Sequence, residues 1–304
     1  MYPLILVPLD GSPFAEGALP AAVMLAARHQ ASLHLVAVHT ALASPLDMPG
    51  APVYDGRLDS ERRRELDGYL ERIAERLSSE STLAVTHATV DDGGSTASAI
   101  TDEAVRCGAG LVVLSTHGRG GFSRAWLGSV TSELLRTMPV PIFVVRSAPD
   151  VTPPAPKLDH VLLPLDGSPL AAAALEPALE LSEPFGATLT VLRVVRTSES
   201  QLPYDQTFWT AAEEKMMEEL RAEAQRDVDG VVADLRGRGR TVDGMVVLDS
   251  DPARTILRVA GERGAGLIAM STRGHGGLTR MLVGSVTDKV VRGADLPVLV
   301  VRPT

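Results

Sequence analysis

Two stretches of the chain are copies of each other at a constant separation of 156 residues. Leu6-Val-Pro-Leu-Asp-Gly-Ser-Pro13 returns as Leu162-Leu-Pro-Leu-Asp-Gly-Ser-Pro169. Ser115-Thr-His-Gly-Arg-Gly-Gly-Phe-Ser-Arg-Ala-Trp-Leu-Gly-Ser-Val-Thr131 returns as Ser271-Thr-Arg-Gly-His-Gly-Gly-Leu-Thr-Arg-Met-Leu-Val-Gly-Ser-Val-Thr287. Solenoid units run to about 20–50 residues, so a repeat this long is one domain duplicated. The 304 residues then give two halves of about 150, each large enough for its own core. We place the first domain at 1–147, a Pro-rich linker at 148–156 and the second domain at 157–304.

Each half alternates strands and helices. The apolar runs Leu4–Leu9, Leu33–Val38, Leu83–Val90, Leu111–Leu114 and Ile142–Val145 have strand length. Helical patterns lie between them at Pro13–Arg28, Glu61–Leu77, Thr96–Cys107 and Ser129–Arg136. Leu66, Leu70, Ile73 and Leu77 share one helix face, as do Met217, Leu220, Ala224, Val228, Val231 and Leu235 in the other half. Strands that are apolar throughout, joined by helices, imply a parallel sheet covered on both faces. Right-handed crossovers then leave an α/β architecture of two tandem Rossmann-like, doubly wound domains, each with a five-stranded parallel sheet. Pro20 and Pro177 fall inside the first helix of each half, where proline costs ~3 kcal/mol, and predict a kink or a late start. Segments 39–60 and 196–210 are long, unmatched and turn-rich, and are expected to form loops beside a ligand mouth.

Composition excludes several classes. A formal charge of −9 argues against a nucleic-acid surface, which needs a concentrated basic face. No apolar run approaches the roughly 18 residues of a membrane span, and the N-terminal residues lack the pattern of a signal peptide. Cys107 is the only cysteine, so no intrachain disulfide forms, and a cytoplasmic setting is expected. His29, His34, His39, His87 and His160 show no metal-ligand spacing.

The chemistry sits in the repeated motifs. After Leu111–Leu114 comes Ser115-Thr-His-Gly118, then nine residues, then Gly128-Ser129 opening a helix. The second half repeats this as Ser271-Thr-Arg-Gly274, nine residues and Gly284-Ser285. Glycines let backbone N–H groups turn toward a ligand, and a helix N-terminus offers unpaired donors and positive dipole to a phosphate. The same residues could instead make an ordinary turn with Ser129 as N-cap, but equal spacing in both halves favours binding. Asp10 and Asp166 follow the first strand of each half, at the crevice where doubly wound domains bind ligands. Each either meets a nucleoside or caps the first helix, with Ser12 competing for the cap. His117, Arg119 and Arg124 are matched by Arg273, His275 and Arg280, as anion-facing charges or as a solvated loop.

These residues resemble the universal stress protein family in its tandem form, over nearly the whole chain. The resemblance rests on the Asp10-Gly-Ser turn, on Ala31-Ser-Leu-His-Leu-Val-Ala-Val38, and on Val90 through Ile100. It rests also on the loop from Gly118 to Gly128-Ser129 and the closing Pro141-Ile-Phe-Val-Val-Arg146, with counterparts in the second half. The family's ATP-binding branch carries Gly-x-x-Gly, nine residues, then Gly-Ser or Gly-Thr; here Ser115 and Ser271 replace the first glycine. A Cβ there could crowd a ribose, or the hydroxyl could contact it.

The resemblance implies an adenine nucleotide, ATP, in each half. Val38 and Val194 would read adenine through their backbone, and Asp10 and Asp166 would meet adenosine beside Pro8, Leu9, Pro164 and Leu165. Leu114, Ser115, His117, Gly118, Gly128, Ser129, Val130 and Thr131 would complete the first site. Met270, Ser271, Arg273, Gly274, Gly284, Ser285, Val286 and Thr287 would complete the second. Mg²⁺ would arrive with the phosphates. The resemblance also implies pairing of the two domains through their last strands and a homodimer of whole chains. No side chain is placed to activate water, so occupancy rather than fast hydrolysis is the expected output, with slow hydrolysis allowed. A nucleotide-free interaction module of the same fold is the main alternative. An adenylating enzyme or a dehydrogenase is disfavoured because the glycine loop follows the fourth strand, not the first.

Overall fold

The computed structural model describes residues 2–40, 56–117, 127–147, 154–197, 211–274 and 283–303. It divides into two compact units, Met1–Ala155 and Pro156–Thr304. The first unit runs β1 (Leu4–Pro8), α1 (Pro13–Glu16), α2 (Leu19–His29), β2 (Ser32–His39), α3 (Gly56–Glu80) and β3 (Val85–Asp91). It continues through α4 (Thr96–Cys107), β4 (Leu111–His117), α5 (Ser129–Thr137) and β5 (Ile142–Ser147). The second unit runs β6 (His160–Pro164), α6 (Pro169–Ala172), α7 (Leu175–Ser182), β7 (Thr188–Arg196), α8 (Ala211–Gly237) and β8 (Val242–Asp249). Then come α9 (Pro252–Glu262), β9 (Leu267–Ser271), α10 (Ser285–Gly293) and β10 (Val298–Val301).

Within the first unit the strand order is β3-β2-β1-β4-β5, all parallel. The second unit repeats it as β8-β7-β6-β9-β10. Successive side chains of a strand point to opposite faces. Ile5, Leu6 and Val7 are nevertheless all 0% exposed, as are Val161, Leu162 and Leu163, so helices cover both faces. The first strand of each unit lies between the second and the fourth, and the order reverses there. That reversal opens a crevice beyond the carboxyl ends of the strands.

The prolines explain the divided first helix. Ser12 caps α1 by accepting from the Ala15 N–H at 3.2 Å, with Pro13 at the first position. The chain turns at Gly17 and restarts as α2, where Pro20 falls in the first turn and removes no intrahelical bond. In the second unit α6 ends at Ala172, and α7 begins two residues before Pro177. The late start is therefore what forms, as two short helices rather than one over Pro13–Arg28.

The amphipathic helices follow their patterns with small shifts. α3 starts at Gly56, earlier than Glu61, and buries Leu70, Ile73, Ala74 and Leu77, while Leu66 is half-buried. On α8 the buried positions are Ala224, Val228, Val232 and Leu235, whereas Leu220 is 39% exposed. Val232, four residues after Val228 and three before Leu235, thus takes the inward place expected of Val231. β4 runs past Leu114 to His117 because Ser115, Thr116 and His117 pair with Val145, Arg146 and Ser147 of a longer β5. No helix among the described residues is long and apolar enough to cross a membrane. Most of segments 39–60 and 196–210, and of the linker, lies outside the described residues.

Candidate functional site

The Asp-Gly-Ser turn leaves β1 at the crevice. Ser12 takes the helix cap, which frees Asp10 from that work. Asp10 Oδ1 accepts from the Ser12 N–H at 2.9 Å, and the residue is exposed. Gly11 sits at φ +81°, a left-handed conformation in which a side chain is strained, so glycine is required for the turn. The Leu9 N–H donates to the Val36 carbonyl at 2.8 Å, which holds the turn against β2.

The facing wall is the start of α5. Gly128 has no side-chain cap to offer, and Ser129 is the first helical residue. The first-turn N–H groups of Ser129, Val130 and Thr131 therefore have no acceptor among the described residues. Such a helix entrance presents donors and positive dipole to an anion. A Cβ on Gly128 would meet no protein atom within 4 Å, so this face is open. Ser115 Oγ donates to the Phe14 carbonyl at the end of β4, tying the strand to α1. The hydroxyl that replaces the family glycine is thus engaged within the chain rather than held for a ribose.

Between these walls lies a cavity of about 310 Å³ in the first unit. Pro8, Leu9, Asp10, Val38, Leu114 and Ser115 line one side, and Gly128, Ser129, Val130 and Thr131 line the other. Ser12, Phe14, Ala15, Val36, Thr96, Ile100 and Leu134 also line it and were not read from the sequence as site residues. Thr96 and Ile100 lie one turn apart on α4, which Ser95 starts by capping the Ser98 N–H at 3.0 Å. That cap after a strand was a legible helix start, but nothing in it marked a cavity wall. Among the described residues Asp10 is the only ionisable group lining the cavity. Gly118, Gly120, Gly121, Arg119, Arg124 and the side chain of His117 lie outside the described residues.

The second unit places its counterparts in the same frame with different local bonds. Asp166 Oδ1 accepts from the Ser168 N–H at 3.0 Å and from the Ser168 hydroxyl at 2.5 Å. A Cβ on Gly274 would fall 1.9 Å from Asp166 Oδ2, so the carboxylate packs directly against this glycine. Arg273, half-buried, donates its N–H to Ser271 Oγ at 3.2 Å. The Thr287 hydroxyl donates to the Ser271 carbonyl at 2.8 Å and the Gly284 N–H to Thr272 O at 2.7 Å, pinning the start of α10 to the end of β9. Pro164 and Leu165 end β6 and begin its turn, Val194 lies on β7, and Met270 is buried near the end of β9. Ser285 and Val286 line a separate cavity of about 340 Å³. His275 and Arg280 lie outside the described residues.

Cys107 ends α4 half-buried, and burial pushes its thiol above the ordinary value, which disfavours the reactive thiolate. Among the described residues no group of His, Cys, Asp and Glu is arranged to hold a metal ion.

Both units match the model of the universal stress protein family, over residues 1–146 and 157–302. A universal stress protein of Mycobacterium bovis is 33% identical over 195 residues, 63% of this chain and 61% of that protein. The match thus spans about three fifths of that relative's length. Universal stress protein YxiE of Bacillus subtilis is 31% identical over 150 residues, 47% of this chain and 99% of that protein. The crystal structure of a universal stress protein from Archaeoglobus fulgidus covers 99% of both chains with a TM-score of 0.70 at 19% identity, a likeness of fold.

Proposed function

The chain belongs to the universal stress protein family, and on that premise we propose that it is an ATP-binding member whose output depends on nucleotide occupancy. The observation that carries this reading is the first unit's cavity, walled by the Asp10 turn on one side and the entrance of α5 on the other. Val36, Val38, Ile100 and Leu114 give a purine an apolar slot. The exposed Asp10 carboxylate suits ribose hydroxyls, and the N–H groups of Ser129, Val130 and Thr131 suit phosphate oxygens. A volume of about 310 Å³ falls at the lower end of small-ligand sites. The proposal extends to the second unit, where Asp166, Val194, Gly274, Gly284 and Ser285 hold the corresponding positions.

Among the described residues Asp10 is the one ionisable group lining the cavity, and its place at the nucleoside end supports a site that binds rather than turns over rapidly. Mg²⁺ enters with the phosphates in this reading, and homodimer assembly and a cytoplasmic setting belong to the same proposal. Isothermal titration of nucleotide-free protein with ATP and Mg²⁺ tests it. Saturable heat, with adenosine competing, is the expected result. No heat at millimolar ATP would leave the interaction-module alternative in its place.

A further inference from the structure

The two units differ by a charge on their second strand. Arg193 on β7 stands where the first unit has Ala37 on β2, which is 1% exposed. It lies between Leu192, whose carbonyl accepts from the Leu165 N–H at 2.8 Å, and Val194, the counterpart of Val38 at the proposed adenine position. Its side chain ends against the turn that follows β6. A Cβ on Gly167 would fall 2.9 Å from Arg193 Nη1 and 3.2 Å from Cζ and Nη2, so the guanidinium packs on the turn that carries Asp166. In the first unit a Cβ on Gly11 would meet nothing within 4 Å.

Arg193 is half-buried as a residue, but its Nε and Nη1 are closed to solvent and have no hydrogen-bond partner. The other buried side-chain atoms left unpaired among the described residues are the hydroxyls of Ser147 and Thr255, so Arg193 is the one charged group in that state. Asp166, one residue before Gly167, directs its carboxylate to Ser168 and against Gly274 instead. A guanidinium stays protonated however deeply it is buried. Two of its donors taken from water without an acceptor are therefore costly, and an arriving anion offsets that cost. In dinucleotide-binding folds an acidic residue meets a free ribose hydroxyl, and a nearby arginine accommodates a phosphate on the ribose itself. The second unit holds both residue types at one turn, and the first holds only the acid.

We infer that the second unit selects an adenine nucleotide phosphorylated on its ribose, at the 2′ or 3′ oxygen, and that Arg193 is the residue that selects it. The inference rests on the nucleotide reading above and narrows the ligand for one unit. In the bound state the guanidinium turns on its flexible stem from Gly167 to the ribose phosphate and donates two parallel N–H bonds to it. Its positive charge also offsets the repulsion between that phosphate and Asp166. The first unit has Ala37 at this position and Asp10 lining its cavity, so a ribose phosphate there meets a like charge with no counter-charge from β2. The two copies thus divide the nucleotides between them, plain ribose to the first and phosphorylated ribose to the second.

Calorimetric titration of the full chain, stripped of nucleotide, with AMP, adenosine 2′,5′-bisphosphate and adenosine 3′,5′-bisphosphate is the direct test, because the ligands differ only in the ribose phosphate. One of the bisphosphates should bind at one equivalent per chain and at least about tenfold more tightly than AMP, the effect of a charge-assisted hydrogen bond. Arg193→Ala, which installs the first unit's residue, should erase that preference. Arg193→Met keeps the buried stem without the charge and should erase it as well, so the test survives an alanine variant that fails to fold. Bisphosphates bound no more tightly than AMP by the wild-type chain, or a preference that persists in Arg193→Met, overturns the inference. A parallel titration with ATP separates the two readings. ATP bound with no preference for a ribose phosphate overturns this inference and leaves the nucleotide reading standing, whereas no binding of any of the four ligands overturns both.

Discussion

His34 Nε2 lies 2.7 Å from Glu103 Oε1, and both side chains are buried between β2 and α4. His34 Nδ1 meets the Thr86 hydroxyl at 2.7 Å, and Arg106 holds Glu103 through Nε at 2.6 Å and Nη2 at 2.5 Å. The pair fixes the spacing between two walls of the first cavity, since β2 carries Val36 and Val38 and α4 carries Thr96 and Ile100. The second unit has Thr190 and Val259 at these positions and does without the pair. Removing the carboxylate leaves the buried His34 without its hydrogen-bond partner, so Glu103→Ala should destabilise the first unit by about 2 kcal/mol. Urea unfolding followed by circular dichroism would show an earlier transition for one unit only. A variant whose unfolding profile superposes on the wild type would mean the pair adds nothing.

The same carboxylate sets a pH dependence. Burial pushes Glu103 up, but the hydrogen bonds from Arg106 and His34 outweigh it and hold the group below its ordinary 4.5. A depressed carboxylate contributes stability that is fully present above its unfolded value and is lost as pH falls through the folded one. The wild-type stability should therefore decline below about pH 4.5 more steeply than that of Glu103→Gln. Equal acid slopes in the two proteins would show that other groups carry the effect.

Much of the architecture was legible because strands such as Leu4–Pro8 and the run 161–163 are apolar on both faces, which only a covered parallel sheet requires. Pro20 and Pro177 announced the break in the first helix through a local rule of backbone chemistry. The cavity was legible only in its repeated motifs. Thr96 and Ile100 entered it through the packing of α4 over the strand ends, which no residue type signals. Ser115 and Phe14 are 101 positions apart, so a bond between them could not be read from spacing.

Gly128→Asp places a carboxylate at the entrance of α5, where the proposed phosphates would lie. The backbone there is at φ −55°, and a Cβ meets nothing, so the fold tolerates the change. ATP binding in the first unit should disappear through charge repulsion, with the thermal midpoint of the unliganded protein nearly unchanged. Calorimetry would read the change as a loss of ATP sites per chain. Wild-type stoichiometry in the variant would mean the phosphates bind elsewhere.

Ser115→Ala removes the donor to the Phe14 carbonyl and leaves the cavity shape almost intact. Loss of one neutral hydrogen bond should cost about 1 kcal/mol, a fall of roughly 2–4 °C in melting temperature for a domain this size. ATP affinity should change by less than about threefold, because a serine bonded to its own chain contributes little to a ligand. An affinity loss of about tenfold or more would show that the hydroxyl turns to the nucleotide when one is bound.

The copies also make opposite demands at one glycine. Gly110 and Gly266 both precede the fourth strand of their unit by position in the repeat. A Cβ on Gly110 would approach Tyr2 Cα at 3.3 Å and the Pro3 ring at 3.4 Å, contacts that a small shift of the N-terminal residues can relieve. A Cβ on Gly266 would lie 1.7 Å from the Lys157 carbonyl oxygen, a backbone atom. The Gly266 N–H also donates to the His160 carbonyl at 2.9 Å, which keeps the two chain segments from parting. Gly110→Ala should therefore cost about 1 kcal/mol, within the ordinary range of single substitutions. Gly266→Ala should cost more than about 3 kcal/mol, because the overlap must be relieved by moving the start of β6. Thermal unfolding of the two variants side by side checks the contrast, since the substitution is the same and only the neighbour differs. Equal losses would mean that the approach of Lys157 to Gly266 is slack enough to admit a methyl group.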